Sequence, residues 1–438
     1  MRRNWSRIFA LVMGLSLLLA ILAACGAGTT TGTTPAKGST TIEVATDLPV
    51  SGKDESGGKP TENGAHLAVD QANANKTIPG YTLAFVPRDD VGPSGAHDPA
   101  VGKANVTALI GDALVAGVVG PLNSGVAEAE MPLANQAPLA LISPANSLAC
   151  LTKSDPNLCG GSKNLISTLR PSGKVTYFRV PTTDDVQGAV GAQLLYTTLH
   201  YKTAWLIDDA EAYGIGLADA FAYNWQKLGG KLLGRSSEPG TTTDFTGVLT
   251  TIGNSHPDVV YFAGTDATGG TLVRKQMLSV PTLKNTPFGG GDGVVTPDFA
   301  KTIGTSGGPV YGTTGSIDFT KTSSAQTYIS QYKAAYNGEP TAYSLNAYDG
   351  MNILIQAIKK AINSGVSTPT GKSDAAGAAK FRQAVIDAIK QTDWMGVTGH
   401  ITFDANGDTT LQVVSEFQLA NVNGATDWKF LASVKPSA

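Results

Sequence analysis

From residue 41 onward the sequence alternates short β-type runs with amphipathic helical patterns, and this alternation constrains the fold more than any other feature. A strand at 42–48 precedes a helix that has Ala65, Ala68 and Val69 on one face. The rest of this series comprises strands 81–86, 113–119 and 138–142 and helices 99–110 and 125–135. Such a βαβ rhythm demands a mostly parallel sheet covered by helices.

The rhythm begins again after an interruption at 143–178 that is rich in Pro, Gly and Ser. The second series comprises helices 185–200, 214–228, 244–254 and 268–278, strands 203–208, 231–235 and 258–263, later helices near 325–337, 343–363 and 375–391, and β runs at 400–403, 411–419 and 428–434. Two α/β series predict two lobes, and the roughly 395 residues from 42 onward are enough for two cores. Ligands of open α/β sheets bind beyond the carboxyl ends of strands, so the site is expected in those loops.

The N-terminus has the pattern of an export signal. Three arginines in the first seven residues precede an apolar run at 8–24, which is short of the about 20 residues that span a membrane. The run ends Leu-Ala-Ala-Cys-Gly, which is similar to the lipobox of bacterial lipoproteins, in which Cys25 carries diacylglycerol. An ordinary cleavage site beside a chance cysteine is the alternative. We therefore expect a signal peptide at 1–24 and a lipid anchor with a flexible Thr- and Gly-rich tether at 25–40.

Charge and cysteine usage narrow the class of protein. Without the three signal arginines, 29 basic residues (32 minus 3) face 35 acidic ones, which argues against nucleic acid and anionic lipid as partners. The membrane contact expected is the lipid anchor alone. Cys150 and Cys159 are most simply a disulfide in an exported chain. A metal site is the alternative, but no histidine lies close to either, and no metal or cofactor is predicted.

A family resemblance rests on seven segments, most of which include the end of a predicted strand or the loop that follows it. They are 44–52 (VATDLPVSG), 64–73 (GAHLAVDQAN), 118–124 (VVGPLNS), 142–147 (ISPANS), 212–214 (AYG), 258–264 (DVVYFAG) and 291–293 (GDG). In this order and spacing the chain resembles the branched-chain amino acid (leucine/isoleucine/valine) binding proteins of ABC importers. The resemblance runs from about residue 41 to the C-terminus.

The resemblance implies an α/β fold of two Rossmann-like lobes with parallel-sheet cores joined by three crossovers, the type I periplasmic binding fold. It places lobe 1 at 41–180 plus 315–395 and lobe 2 at 184–311 plus 400–434, with hinge crossovers at 181–183, 312–314 and 396–399. Gly312, Gly396 and Gly399 suit hinge backbone, because glycine tolerates changes in φ. The protein is expected on the extracytoplasmic side of a bacterial membrane, as a monomer that serves an ABC permease and ATPase complex.

The resemblance also implies which side chains hold an amino acid. Ser124 and Ser147 match hydroxyls that bind the carboxylate, the hydroxyl matched by Ser147 also touches the ammonium in the family, and Ala145 matches a residue that contributes its backbone carbonyl as an acceptor. Asp292 matches the acidic residue that pairs with the ammonium, and Tyr213, Thr265 and Tyr343 match positions that line the pocket. Taken alone, Ser124 is a helix N-cap, Asp292 is a turn residue and the tyrosines are core packing.

Two positions depart from the leucine-binding pattern, since Gly57 and Thr265 stand where the family has aromatic rings. We therefore expect a larger and more polar side-chain pocket, which keeps polar amino acids, amides and organic acids open as ligands. A sensor that reports the ligand to a receptor is the alternative to transport. Catalysis is not expected, because the protease-like loop at 304–309 has no matching histidine. A calcium-like motif at 404–408 lacks the required glycine and glutamate and predicts a hairpin turn.

Overall fold

The structure is a computed structural model that describes residues 40–155, 157–158, 165–319 and 322–435. Within these residues no helix is both long and apolar enough to cross a membrane. The signal peptide, Cys25, most of the tether and Cys159 lie outside the described residues. Cys150 is buried, and its pairing with Cys159 stays a prediction, as does the lipid anchor.

The described elements follow the alternation expected from the sequence. The strands are β1 (Thr41–Leu48), β2 (Thr82–Asp89), β3 (Val115–Val119), β4 (Ala140–Ser143), β5 (Tyr177–Arg179), β6 (Thr203–Asp208), β7 (Lys231–Ser237), β8 (Val259–Ala263), β9 (Phe288–Gly290), β10 (Val310–Thr314), β11 (Trp394–Met395), β12 (His400–Ile401), β13 (Val414–Val422) and β14 (Ala425–Val434). The helices are α1 (Glu55–Ala74), α2 (Pro99–Gly111), α3 (Ser124–Gln136), α4 (Ile166–Leu169), α5 (Asp184–Gln193), α6 (Ala212–Lys227), α7 (Thr246–Ser255), α8 (Gly270–Met277), α9 (Pro297–Ile303), α10 (Ser323–Tyr336), α11 (Ala342–Asn363) and α12 (Ala375–Ile389).

The first lobe is built on a parallel five-stranded sheet in the order β2-β1-β3-β4-β5. Its central strands are buried on both faces because helices cover both faces. On one side Val44, Ala65 and Leu354 belong to the core formed with α1 and α11. Helix α11 begins with a capping box between Thr341 and Ser344, which fixes the first turn and therefore the position of Tyr343.

The second lobe is built on a seven-stranded sheet in the order β14-β13-β10-β9-β8-β6-β7. The strands from β6 to β10 are parallel, and β13 and β14 add an antiparallel hairpin at one edge. Phe221 and Trp225 of α6 belong to the core on one face, and Phe262, Phe288 and Phe299 to the core on the other. The predicted two-lobed α/β fold is thus confirmed.

Three backbone segments meet where the chain passes between the lobes. The Thr182 amide donates to the Gly315 carbonyl at 2.8 Å, and the Thr182 hydroxyl lies 2.9 Å from the Val413 carbonyl and 3.0 Å from the Val413 amide nitrogen. Gly312 lies inside β10, where a Cβ atom would collide with Val295. Close packing rather than φ freedom therefore explains this glycine.

Residues 400–410 contact the first lobe, although the sequence assigned 400–434 to the second. Ile401 belongs to the core of the first sheet, and the Phe403 ring lies 5.1 Å from that of Phe178. The β run predicted at 400–403 forms only the two residues of β12, which pair with β11. The lobe boundaries stay predictions, and these contacts favour a third crossover at about 411–413 instead of 396–399.

Three carboxyl side chains are fully buried in the first lobe behind the ends of β1 and β2. Burial, offset in part by hydrogen bonds to Glu130 and Asn105, raises the pKa of Asp47 to about 6. Burial and then the charge of Asp47 raise the pKa of both Glu130 and Asp90 well above their usual values. These carboxyls therefore retain protons to higher pH than exposed carboxyls do, and a protonated Glu130 can donate to Asp47.

The free energy of unfolding should fall as pH rises. A carboxyl whose folded-state pKa is raised stabilises the fold below its unfolded pKa, and this stabilisation is lost as pH rises through the folded pKa. For Asp47 the loss is roughly 3 kcal/mol, at about 1.4 kcal/mol per pKa unit. Glu130→Gln should reduce the slope and raise stability at about pH 8, measured by urea denaturation between about pH 4.5 and about pH 8. The control is exposed Glu339→Gln; equal slopes for all three proteins would contradict the expectation.

Candidate functional site

The seven residues predicted to bind the ligand all line one cavity between the lobes. Its volume is about 30 Å³, and it is lined by Leu122, Asn123, Ser124, Ala145, Ser147, Tyr213, Thr265, Asp292, Gly293 and Tyr343. They lie in loops that follow parallel strands or in the first turn of a helix, where side chains from both sheets can converge. The sequence therefore located the cavity, while the role of each side chain stays a prediction.

Asp292 is the most heavily hydrogen-bonded side chain in the cavity. Its Oδ1 accepts from the Tyr213 hydroxyl at 2.8 Å and from Gln187 Nε2 at 2.9 Å, and its Oδ2 accepts from the Tyr343 hydroxyl. Burial and then the charge of Asp292 raise the pKa of both tyrosines well above 10, so their hydroxyls stay protonated and donate. Because Tyr343 belongs to the first lobe and Asp292 to the second, this hydrogen bond joins the lobes across the cleft.

Ser124 and Ser147 lie on the first-lobe side of the cavity and are almost fully buried. Ser124 is the first residue of α3, where amide groups and the helix dipole favour an anion. The Ser147 Oγ has no hydrogen-bond partner within 3.5 Å among the described residues, although it is near enough to the buried Asp184 carboxyl to lower the pKa of that group in part. A buried hydroxyl of this kind is suited to a ligand.

Arg179 fixes the backbone on both sides of Ser147. Its Nη1 donates to the Leu148 carbonyl at 2.7 Å and, at 3.4 Å, to the Asn146 carbonyl. Its Nε forms a 2.7 Å ion pair with Asp408, and both side chains are buried. Burial raises the pKa of Asp408, but the charge and hydrogen bond of Arg179 together with Lys153 and the Thr152 hydroxyl outweigh it, and the net pKa is lowered. The turn predicted at 404–408 therefore helps, through Asp408 and Arg179, to fix the loop that carries Ser147.

Thr265 lines the cavity on the second-lobe side, and its side chain is hydrogen-bonded to residues outside the cavity. Its Oγ1 lies 3.0 Å from the Thr268 Oγ1, which donates to the Asp209 Oδ2 at 2.7 Å. Burial and then the charge of Glu211 raise the pKa of Asp209 to about 7. This network fixes the orientation of Thr265, the polar residue that stands where the leucine-binding proteins have an aromatic ring.

This cavity is small, and the expectation of a side-chain pocket larger than that of the leucine-binding proteins stays a prediction. Gly57 does not line it, and the larger groove nearby, of about 430 Å³, is lined instead by neighbours of Gly57 such as Lys53 and Ser56. The cavity is small because Tyr213 and Tyr343 both extend to Asp292 and fill the cleft between the lobes. A larger solute requires these contacts to separate.

A second contact between the lobes involves His97, which the sequence did not single out. Its Nδ1 lies 3.1 Å from the Asp54 Oδ2, and its Nε2 lies 2.8 Å from the Glu211 Oε2 on the opposite lobe. Burial opposes a charge on this ring, but hydrogen bonds to Asp54 and Glu211 outweigh it and raise the pKa to about 10. His97 is therefore an imidazolium at neutral pH, and we call the His97–Glu211 contact the cross-lobe ion pair.

The sequence analysis also did not select three polar residues at or near the cavity, namely Asp184, Gln187 and Asn123. Asp184 is fully buried beside Ser147, and burial followed by the charge of Asp292 raises its pKa well above the usual value. Gln187 donates to Asp292, and Asn123 lines the cavity. Gln187 could have been found from the sequence, because it is a polar residue on the buried face of the helix predicted at 185–200. Within the described part of the chain, no group of three or more His, Cys, Asp or Glu side chains is arranged to hold a metal.

Comparison with known proteins defines the class first. A family model described as periplasmic binding protein matches residues 41–427, and the chain belongs to this family. Within it, the predicted kinship with the branched-chain amino acid binding proteins of ABC transporters is confirmed. The Leu/Ile/Val-binding protein BraC3 of Rhizobium johnstonii is 29% identical over 381 residues, covering 86% of this chain and 91% of that protein.

Solved structures show the same fold. The leucine-binding protein LivK of Thermotoga maritima aligns with a TM-score of 0.70 and 23% identity, over 90% of this chain and 99% of that one. A solute-binding protein of an ABC transporter from Rhodopseudomonas palustris, in complex with p-hydroxybenzoic acid, aligns with a TM-score of 0.72 and 21% identity, over 90% of this chain and 97% of that one. One architecture thus accommodates different solutes.

Proposed function

We propose that this protein captures a small α-amino acid outside the cytoplasm for an ABC importer. The observation that carries the proposal is the placement of Asp292 on the second lobe, across one cavity from Ser124 and Ser147 on the first. An α-amino acid presents a carboxylate and an ammonium on one carbon, and this arrangement offers hydroxyls and helix amides to the former and a carboxylate to the latter.

An aromatic acid is the second candidate, because a neighbour in fold is described in complex with p-hydroxybenzoic acid. Asp292 argues against it, since a ligand that carries only a carboxylate would bring a second negative charge close to this side chain without an ammonium to compensate it. The presence of Asp292 therefore favours a zwitterion.

A thermal-shift screen against amino acids, short amides and hydroxybenzoates tests the proposal. A ligand at 100 times its dissociation constant adds about 2.7 kcal/mol to the free energy of unfolding, which is easily detected. Stabilisation by at least one α-amino acid, and none by its deaminated analogue, is expected. Stabilisation by hydroxybenzoates alone would contradict the amino-acid assignment and leave the binding role.

The site is also compatible with the sensor alternative, because reporting a ligand requires the same closing cleft. We favour transport, since the structural neighbours named above include a solute-binding protein of an ABC transporter. The expected partner is therefore a permease and ATPase complex, with the protein acting as a monomer. Its two lobes would move about the three crossover segments near 181–183, 312–314 and 411–413.

Lipid anchoring through Cys25 is part of the proposal and has its own test. Cys25→Ser removes the thiol that would receive diacylglycerol, so the protein should move from the membrane fraction to soluble or unprocessed forms. Cell fractionation measures this, and Cys150→Ser, with Cys25 intact, is the control that should remain on the membrane. Mass spectrometry of native protein showing an unmodified cysteine at the mature N-terminus would contradict the anchor.

A further inference from the structure

Asn123 is a buried residue at a helix N-cap whose side chain does not cap the helix. It precedes α3 at the N-cap, with the extended backbone typical of a capping residue (φ −95°, ψ 138°). An asparagine there normally accepts a hydrogen bond from an amide of the first turn. The Asn123 side chain makes no such bond, is only 7% exposed, and its Oδ1 has no partner among the described residues.

This amide borders the same cavity as the predicted binding residues. Asn123 lines the cavity beside Ser124 on the first lobe, and Thr265 lines it from the second. The apolar side chains of the lining are few, Leu122 and Ala145, apart from the two tyrosine rings. An aliphatic ligand side chain in this space would keep the amide away from water and offer it no hydrogen bond, which is unfavourable.

We propose that Asn123 determines specificity and that the ligand is a small amino acid whose side chain carries a hydroxyl or amide group. This inference rests on the proposed function and names the substrate class of that site. A carboxamide can donate or accept, so the ligand group can be of either kind. The cavity volume of about 30 Å³ favours a short side chain over a long one. Asn123 then acts with Thr265 as a polar wall around the end of the ligand.

The test compares two probes of nearly equal shape, L-threonine and L-valine, which differ by a hydroxyl in place of a methyl group. Calorimetry should show that the native protein binds threonine at least ~10-fold more tightly, which corresponds to about 1.4 kcal/mol. Asn123→Leu, a change of similar size, should abolish or reverse this preference, and so should the smaller Asn123→Ala. Asn254→Leu, at an exposed position of α7, is the control that should leave it unchanged.

Each outcome distinguishes this inference from the proposed function. If valine binds as tightly as threonine, or if both Asn123 variants keep the native preference, the role of Asn123 is wrong and the amino-acid site remains. If neither probe binds and the screen finds only hydroxybenzoates, both the inference and the amino-acid assignment fall.

Discussion

Asp292→Ala should weaken binding of the ligand by roughly 30-fold to several thousand-fold. This range follows from the cost of about 2–5 kcal/mol for removing one member of a desolvated charge pair. The variant should also leave the liganded protein more open, because Asp292 accepts the hydrogen bond of Tyr343 from the other lobe. A ligand shifts the balance between open and closed forms only by its differential affinity for the two. The contact between the ligand's ammonium and Asp292 forms only when the lobes close, so its loss reduces the shift towards the closed form.

Two variants serve as controls for this prediction. Asp292→Asn removes the charge but keeps an oxygen that can accept from Tyr213 or Tyr343, so it should weaken binding while retaining more of the closure. Ser124→Ala should weaken capture by the first lobe and leave closure intact. Calorimetry measures affinity and small-angle scattering measures the separation of the lobes. If Asp292→Ala binds and closes like the native protein, no ammonium is held at this carboxylate.

Asp408→Ala should lower the free energy of unfolding by about 3–5 kcal/mol, the usual cost of leaving a buried charge unpaired. Arg179 is fully buried and would retain only neutral partners, namely the carbonyls beside Ser147 and the Thr152 hydroxyl. Urea denaturation measures the change. The control is Asp404→Ala in the same turn, which removes an exposed carboxylate and its hydrogen bonds from the Asn406 and Asp408 amides but leaves no buried charge unpaired, and should therefore cost less.

A double variant makes this prediction sharper. Arg179→Met combined with Asp408→Leu removes both charges and should recover part of the stability lost in Asp408→Ala, because no isolated charge remains. If Asp408→Ala costs no more than Asp404→Ala, the buried ion pair does not stabilise the fold.

The sequence predicted which residues line the cavity better than it predicted the volume of the cavity or the contacts around it. Ser124 and Asp292 were found because each follows a strand in a segment that resembles a known family. The fold followed from the βαβ alternation, which is a local pattern. Both kinds of signal are contained in a few consecutive residues.

Interactions between distant segments were not predictable in this way. Arg179 and Asp408 are 229 residues apart, and His97 and Glu211 are 114 residues apart. The small cavity was missed because its volume depends on how far Tyr213 and Tyr343 reach across the cleft. The position of 400–410 was missed because a short apolar run does not show which of two sheets it will contact.

The cross-lobe ion pair bears on how quickly a captured solute is given up. His97 and Glu211 contact each other rather than the cavity, so their attraction adds to the barrier against opening whatever solute is enclosed. The residence time of the solute would therefore exceed what its own contacts provide. Because Glu211 is 38% exposed, dissolved salt can screen this attraction. Release should accordingly be faster in concentrated salt than in dilute buffer, at the same temperature and with the same solute.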